Sequence, residues 1–106
     1  MNRRSKRTNP ESELYRALLT LRTPEECFAF LTDLCTANEL KAMEQRYEVA
    51  RLLENGRIYS DILTETGASS ATISRVNRSL NDYGTGAYRT VFARLEEQSG
   101  KAEGGE

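Results

Sequence analysis

The segment at residues 66–80, "TGASSATISRVNRSL", decides how this 106-residue chain is read. It contains a Gly-Ala pair, then small hydroxyl side chains mixed with two arginines, and no acidic residue. Ile73, Val76 and Leu80 are spaced i, i+3 and i+7, so they form one apolar stripe on a helix. A buried helix would not carry so many hydroxyls, and an ordinary solvated helix would carry Glu and Lys. The segment therefore predicts a short amphipathic helix whose polar face has a task beyond solubility.

The residues around this helix predict a helix-turn-helix. Two short helices are predicted at about 59–65 and 69–82, separated by Thr66-Gly67-Ala68. Two short helices joined by a three- or four-residue turn containing Gly are typical of that motif. Gly67 is expected to adopt the left-handed conformation that reverses the chain tightly. Ile62 supplies the apolar face of the first helix.

The polar face of the second helix predicts a DNA-binding surface. Small side chains at a helix N-terminus allow close approach to base edges, and methyl and hydroxyl groups can contact bases or phosphates. Ser69 or Ser70 as the N-cap would leave the positive end of the helix near phosphates. The predicted DNA-binding residues are Arg57, Ser60, Ser69, Ser70, Ala71, Thr72, Ser74, Asn77 and Arg78. The alternative is a helix-turn-helix that contacts only protein, with its serines merely solvated.

The rest of the chain predicts an all-α fold. Further helices are expected at about 11–21, 24–35, 37–54 and 87–97. Thr23-Pro24 and Thr36 with Glu39 are helix-start signals, the second with the spacing of a capping box, and Asn55-Gly56 is a stop signal. The basic residues 1–10 and the acidic residues 98–106 are predicted to be disordered, which leaves one domain at 11–97. The apolar positions expected to face a core in the first three helices are Leu14, Leu18, Leu21, Phe28, Leu31, Leu34, Leu40, Met43, Tyr47, Ala50 and Leu53.

Composition narrows the class of function. The formal net charge is −1, yet residues 1–10 hold four cationic side chains and no acid, so the potential is locally positive. With no histidine, no phosphate-binding loop and no nucleophile beside a base, we do not expect an enzyme. Cys27 and Cys35 would lie too far apart on one helix for a disulfide, and no metal or other cofactor is predicted. No apolar run is long enough for a bilayer and no leader is seen, so we expect a cytoplasmic protein without a membrane partner.

Residues 45–89, "QRYEVARLLENGRIYSDILTETGASSATISRVNRSLNDYGTGAYR", resemble the Trp repressor superfamily, and most closely its YerC/YecD branch. The resemblance extends over about residues 12–95. It implies a six-helix chain that forms an intertwined homodimer, with paired helix-turn-helix units facing successive major grooves of double-stranded DNA. By this match Ser70, Ala71, Thr72 and Ser74 lie where the Trp repressor contacts DNA.

The resemblance also raises the question of a small-molecule effector. The positions that match the tryptophan pocket of the Trp repressor are Thr36, Arg46, Arg75 and Ser79. Val76, however, stands where the Trp repressor has glycine, and its branched side chain would occupy space that the indole needs. We therefore expect that L-tryptophan does not bind, while another effector stays open. Arg46 and Arg75 have an ordinary alternative as ion-pair partners of Glu44 or Glu48, or as phosphate contacts.

The sequence thus predicts a sequence-specific DNA-binding transcriptional regulator, a repressor that acts as a homodimer. The alternative is a protein-interaction module that docks transcription machinery without its own DNA site. The acidic total charge and the few cationic positions on the polar face favour that alternative.

Overall fold

The computed structural model describes the backbone of residues 8–104 and the side chains of residues 8–100. The first seven residues of the predicted basic tail and residues 105–106 of the predicted acidic tail lie outside that range. The described backbone holds six α-helices and no strand, which confirms the all-α prediction. They are α1 (Glu13–Leu18), α2 (Pro24–Leu34), α3 (Ala37–Glu54), α4 (Tyr59–Thr66), α5 (Ser70–Arg78) and α6 (Ala87–Gly104).

The chain divides into two compact units, and the first ends at Leu40. Thr23 caps α2 as predicted, because its side chain accepts a hydrogen bond from the backbone N–H of Glu26 at 3.0 Å. In contrast, α1 is shorter than the predicted 11–21. Past its end the hydroxyl of Thr20 donates to the carbonyl of Ala17 at 2.7 Å, and such local bonds compete with continued helix.

The apolar face of α2 is largely uncovered in the single chain. Phe28 is 61 % exposed and Leu34 is 52 % exposed, whereas Leu31 and Phe30 are half-buried. Neither α1 nor α2 contains a buried residue, because the six residues of α1 offer too little surface to cover a helix of 11 residues. Cys27 and Cys35 are free thiols, each half-buried.

The second unit, residues 41–104, contains the core, which forms where α3, α4 and α5 meet. Ile62, Ile73, Val76 and Leu80 are buried, so the apolar stripe read from the sequence is confirmed. The contribution of α3 differs from the prediction: its buried residues are Val49, Ala50 and Leu52, while Leu53 and Tyr47 are half-buried and Met43 is exposed. Neighbouring Leu52 and Leu53 could each have faced inward, and only tertiary packing decides between them. No polar or charged side chain is buried in the described part of the chain.

The turn between α4 and α5 has the predicted geometry. Gly67 ends α4 in the left-handed region, with φ of +72°. The hydroxyl of Thr66 donates to the Ile62 carbonyl at 2.7 Å and accepts from the Ala68 N–H at 3.1 Å. The side-chain amide of Gln45 on α3 donates to the Thr66 carbonyl at 3.1 Å, which ties the turn to the long helix.

The helix predicted at 69–82 changes character near its end. After α5 the backbone continues as a π-helical turn, Ser79–Tyr83, and Gly84 follows it. A Cβ atom on Gly84 would lie 1.8 Å from the backbone oxygen of Ser79, so this close return of the chain requires glycine.

The last helix, α6, is longer than predicted and covers most of the segment expected to be disordered. It runs to Gly104 instead of ending near residue 97. Gly100 costs the helix only about 1 kcal/mol relative to alanine, and the Glu and Gln residues before it are good helix formers. Near its start, Tyr88 and Phe92 pack against the core, and the Phe92 ring lies 5.7 Å from that of Tyr47 between centroids. Within residues 8–104, no helix combines the length and apolar character needed to cross a membrane.

The glycine after the π-helical turn leads to a direct test of this geometry. We expect Gly84→Ala to lower the free energy of unfolding by about 1–3 kcal/mol, because the added methyl group must displace backbone. The matched control is Gly100→Ala, where the new methyl would meet nothing within 4 Å and helix propensity favours alanine. Urea unfolding followed by circular dichroism measures both. Equal stability of the two variants would contradict the close approach.

Candidate nucleic-acid interface

Helix α5 has one buried side and one open side. Ile73 and Val76 are buried, while Ala71, Arg75 and Arg78, spaced i, i+4 and i+7, are exposed. Beside that exposed row run Ser70, Ser74 and Asn77, of which the first is exposed and the other two are half-buried. The polar positions predicted on α5 therefore share a surface that another molecule can reach.

The N-terminus of α5 is capped by a side chain and has no acidic residue in its first turn. Ser69 is the N-cap, and its hydroxyl oxygen accepts from the Thr72 N–H at 3.1 Å. The Ser69 hydroxyl in turn donates to the hydroxyl oxygen of Thr72 at 3.1 Å, and Thr72 is half-buried. Thr72 therefore takes part in the capping of α5 and also lies on its first turn. The first turn has no acidic residue, so nothing there compensates the positive end of the helix dipole.

Arg57, just before α4, and Ser60, in its first turn, differ in their surroundings. Arg57 forms ion pairs with two acids of α4, Asp61 at 3.9 Å and Glu65 in direct contact. Its charge is thus already compensated within the protein. Ser60 lies exposed in the first turn of α4, where its carbonyl accepts a hydrogen bond from the Thr64 hydroxyl at 3.0 Å.

The four residues matched to an effector pocket have separate local surroundings. Thr36 forms the predicted capping box at the start of α3: its hydroxyl accepts from the Glu39 N–H at 3.0 Å, and the Glu39 carboxylate accepts from the Thr36 N–H at 2.8 Å. Arg46 is half-buried on α3 and Arg75 is exposed on α5. Ser79, half-buried, lines a cavity of about 310 Å³ between the π-helical turn and the start of α6.

Of the two acids considered as alternative partners for these arginines, Glu44 and Glu48, the second is occupied elsewhere. Glu48 pairs with Arg51, one turn along α3, at 2.5 Å. The hydrogen bond from Arg51 lowers the pKa of the Glu48 carboxyl and raises that of the guanidinium. Arg46 and Arg75 are therefore not the partners of Glu48 in this structure.

Val76 occupies the position that matters most for the effector question. It is 2 % exposed and belongs to the same buried cluster as Ile62, Ile73 and Ala50. Its side chain packs in the contact between α5 and the rest of the second unit.

In the part of the chain that the structure describes, no three His, Cys, Asp or Glu side chains are grouped so that they could hold a metal ion.

One group of polar contacts was not foreseen from the sequence. Arg89 of α6 contacts Glu54 of α3 and Asn81 of the π-helical turn, and Asn81 contacts Asn77 of α5. No local signal could have indicated it, because Glu54 and Arg89 are 35 residues apart and meet only in the folded chain.

Comparison with known proteins agrees with the geometry. Residues 11–96 match the sequence profile of the family described as "Trp repressor protein". The chain is 52 % identical over 85 residues to the uncharacterized protein YerC of Bacillus subtilis, covering 80 % of this chain and 81 % of YerC. A crystal structure of a candidate Trp repressor from Staphylococcus aureus superposes with a TM-score of 0.78 at 44 % identity, over 91 % of this chain and 95 % of that one. A TrpR-like protein from Eubacterium eligens has the same TM-score at 47 % identity, over 88 % and 95 %.

Proposed function

The chain belongs to the Trp repressor family, and we propose that it is a sequence-specific DNA-binding transcriptional regulator, a repressor acting as a homodimer. The observation that carries the proposal is the division of α5: its apolar side is buried and its acid-free side of small hydroxyls and arginines is open. Such a regulator works where the chromosome is, so we also propose a cytoplasmic location. No enzymatic activity is part of the proposal.

The proposed mode of binding uses α5 as the recognition helix. Its N-terminal N–H groups and the guanidinium of Arg78 would contact phosphates, which fixes position and orientation on the duplex. Ser70, Ala71 and Thr72 would meet base edges in the major groove, where small side chains permit close approach. Bound in this way across a promoter, the protein would repress by occlusion.

A second candidate function has its own supporting observation. The sequence pI is about 5.6, and the one arginine predicted at the start of α4 is compensated by Asp61 and Glu65. A surface of that kind suits a protein partner, such as a component of the transcription machinery. The salt dependence of a mobility shift separates the two, since DNA binding releases counterions and a protein contact of this kind does not.

The proposed homodimer follows from the uncovered apolar surface of the first unit. Phe28, Leu34 and Leu19 are exposed, the last of them at 86 %. Burying such surface stabilises association by about 25 cal/mol for each Å² of apolar area removed from water. A second copy of the chain offers the same surface and is the partner that the family resemblance implies.

We also propose that L-tryptophan is not an effector. Val76 packs in the core, and an indole could enter beside it only if the core shifted, at a cost of about 1–3 kcal/mol. The matched positions Arg46, Arg75, Ser79 and Thr36 remain available for a different small molecule, although nothing in their surroundings selects one.

The first test concerns the recognition helix. We expect Arg78→Gln to weaken binding to all DNA sequences alike and to reduce the salt slope by about one for each protomer of the bound dimer, because it removes one phosphate contact per protomer. Thr72→Val keeps the shape of the side chain but removes the hydroxyl, so it should change sequence preference more than overall affinity. Mobility shifts on the best site and its single-base variants measure both. Parental behaviour of both variants would show that the open side of α5 does not face DNA.

The second test concerns assembly. We expect sedimentation velocity at micromolar concentration to give a dimer, and Phe28→Asp with Leu34→Asp to give a monomer or a weakened dimer. Ala29→Asp with Thr32→Asp, at two exposed positions between them, adds the same charge without removing a large apolar side chain and is the comparison for charge alone. A parental monomer at that concentration would overturn the proposal.

The third test concerns the effector. We expect calorimetry to detect no binding of L-tryptophan at millimolar concentration, and DNA binding to be the same with and without it. Val76→Gly opens the space that the indole would need, and a gain of tryptophan binding there would assign the block to this side chain. Clear binding by the parental protein would refute the steric argument.

A further inference from the structure

The guanidinium of Arg89 holds together three elements at the C-terminal end of α5. Its Nε donates to a Glu54 carboxylate oxygen at 3.0 Å, and its two terminal nitrogens donate to the Leu80 carbonyl at 3.3 Å and to the Asn81 side-chain oxygen at 2.7 Å. The contact with Glu54 compensates the charge of Arg89 and orients its plane. Contacts with α3 and with the π-helical turn therefore fix the position of Arg89, and one of its N–H groups donates to Asn81.

The hydrogen bond from Arg89 to Asn81 determines the orientation of the Asn81 carboxamide and, through it, that of the Asn77 carboxamide. A guanidinium has donors and no acceptor, so Asn81 must turn its oxygen toward Arg89 and its NH₂ group the other way. The Asn81 nitrogen lies 2.7 Å from the side-chain oxygen of Asn77 on α5. Because that nitrogen donates, the atom of Asn77 that faces it must be the oxygen. The NH₂ group of Asn77 is therefore directed away from Asn81.

We propose that Arg89 and Asn81 are positioning residues that fix the carboxamide of Asn77, so that Asn77 offers DNA the two N–H donors of its NH₂ group and not its oxygen. The inference rests on the proposed function. Asn77 is half-buried and lies one turn beyond Ser74 on the open side of α5. An asparagine without such contacts could present either its oxygen or its nitrogen, whereas the orientation of the Asn77 carboxamide is already fixed in the free protein.

The fixed orientation sets the chemistry that Asn77 accepts. Phosphate oxygens, the N7 atom of purines, the O6 atom of guanine and the O4 atom of thymine are all acceptors. An exocyclic amino group of adenine or cytosine would meet N–H donors and be rejected. If Asn77 reaches a base edge, it favours guanine or thymine at that place; if it reaches the backbone, it binds a phosphate oxygen regardless of sequence.

The contacts among Arg89, Asn81 and Asn77 orient these side chains more than they stabilise the fold. Asn81 is exposed and Arg89 is half exposed, and exposed polar contacts contribute little to the free energy of unfolding. Removing the Asn81 side chain should therefore leave the fold intact while releasing the carboxamide of Asn77.

A double-mutant cycle on the full-length chain tests the proposal. Asn81→Ala should weaken binding to the best DNA site by roughly two- to tenfold, the ratio expected for one net hydrogen bond. In the Asn77→Ala background the same change should have no effect, because Asn81 acts only through Asn77. Urea unfolding of each variant checks that stability is close to the parental value. An equal loss in both backgrounds, or no loss in the parent, would overturn the proposal.

Hydrogen exchange of the side-chain amides, followed by NMR on the free protein, is independent of DNA. The NH₂ protons of Asn81 should exchange more slowly than those of Asn77, and Arg89→Gln should remove the difference. The reverse order in the parent would overturn the proposed orientation. If the parental protein bound no DNA even at low salt, the proposed function and the DNA role of Asn77 would both fall. The exchange measurement would then decide the hydrogen-bonded arrangement alone.

Discussion

The buried apolar cluster shared by α3, α4 and α5 is the constraint on which the second unit depends. Ile73 and Val76 turn one side of α5 inward, and Ala50 of α3 belongs to the same cluster. Fully burying a Val or Ile side chain contributes about 1.5–3 kcal/mol, so a nine-residue helix is held by a few residues. Once that side is committed inward, the orientation of every polar residue of α5 is determined by the helical period.

The features that the sequence predicted correctly depend on interactions between residues close together in the chain. The Thr36 capping box and left-handed Gly67 each depend on residues within four positions of one another, so the sequence alone is enough to find them, and it narrowed the cap of α5 to Ser69 or Ser70. The apolar stripe of α5 was equally readable, because its three positions repeat with the helical period. By this reasoning the helix-turn-helix and its open side could be predicted before any coordinates.

Features that depend on distant residues were missed or misjudged. Phe28 is exposed in the single chain, and the hydrophobic pattern does not say whether the covering surface belongs to the same chain. The Arg89 contacts escaped because they join residues from α3, α6 and the π-helical turn. Arg57 looked like a free cation in the sequence, and only the fold of α4 brings Glu65 against it. Sequence patterns therefore identified the surface of the candidate site but not the contacts that orient its side chains.

The wholly apolar core has a consequence for the signals that this protein can sense. Among the described residues no ionisable side chain is buried, and the chain contains no histidine at all. Glu48, whose pKa is lowered by Arg51, adds its small share of stability above its ordinary pKa of 4.5 and loses it only as the pH falls through the lowered value. Histidine is the side chain whose charge ordinarily changes between pH 5 and 8, so a histidine switch is not available to this chain, whereas its exposed ion pairs weaken as the ionic strength rises.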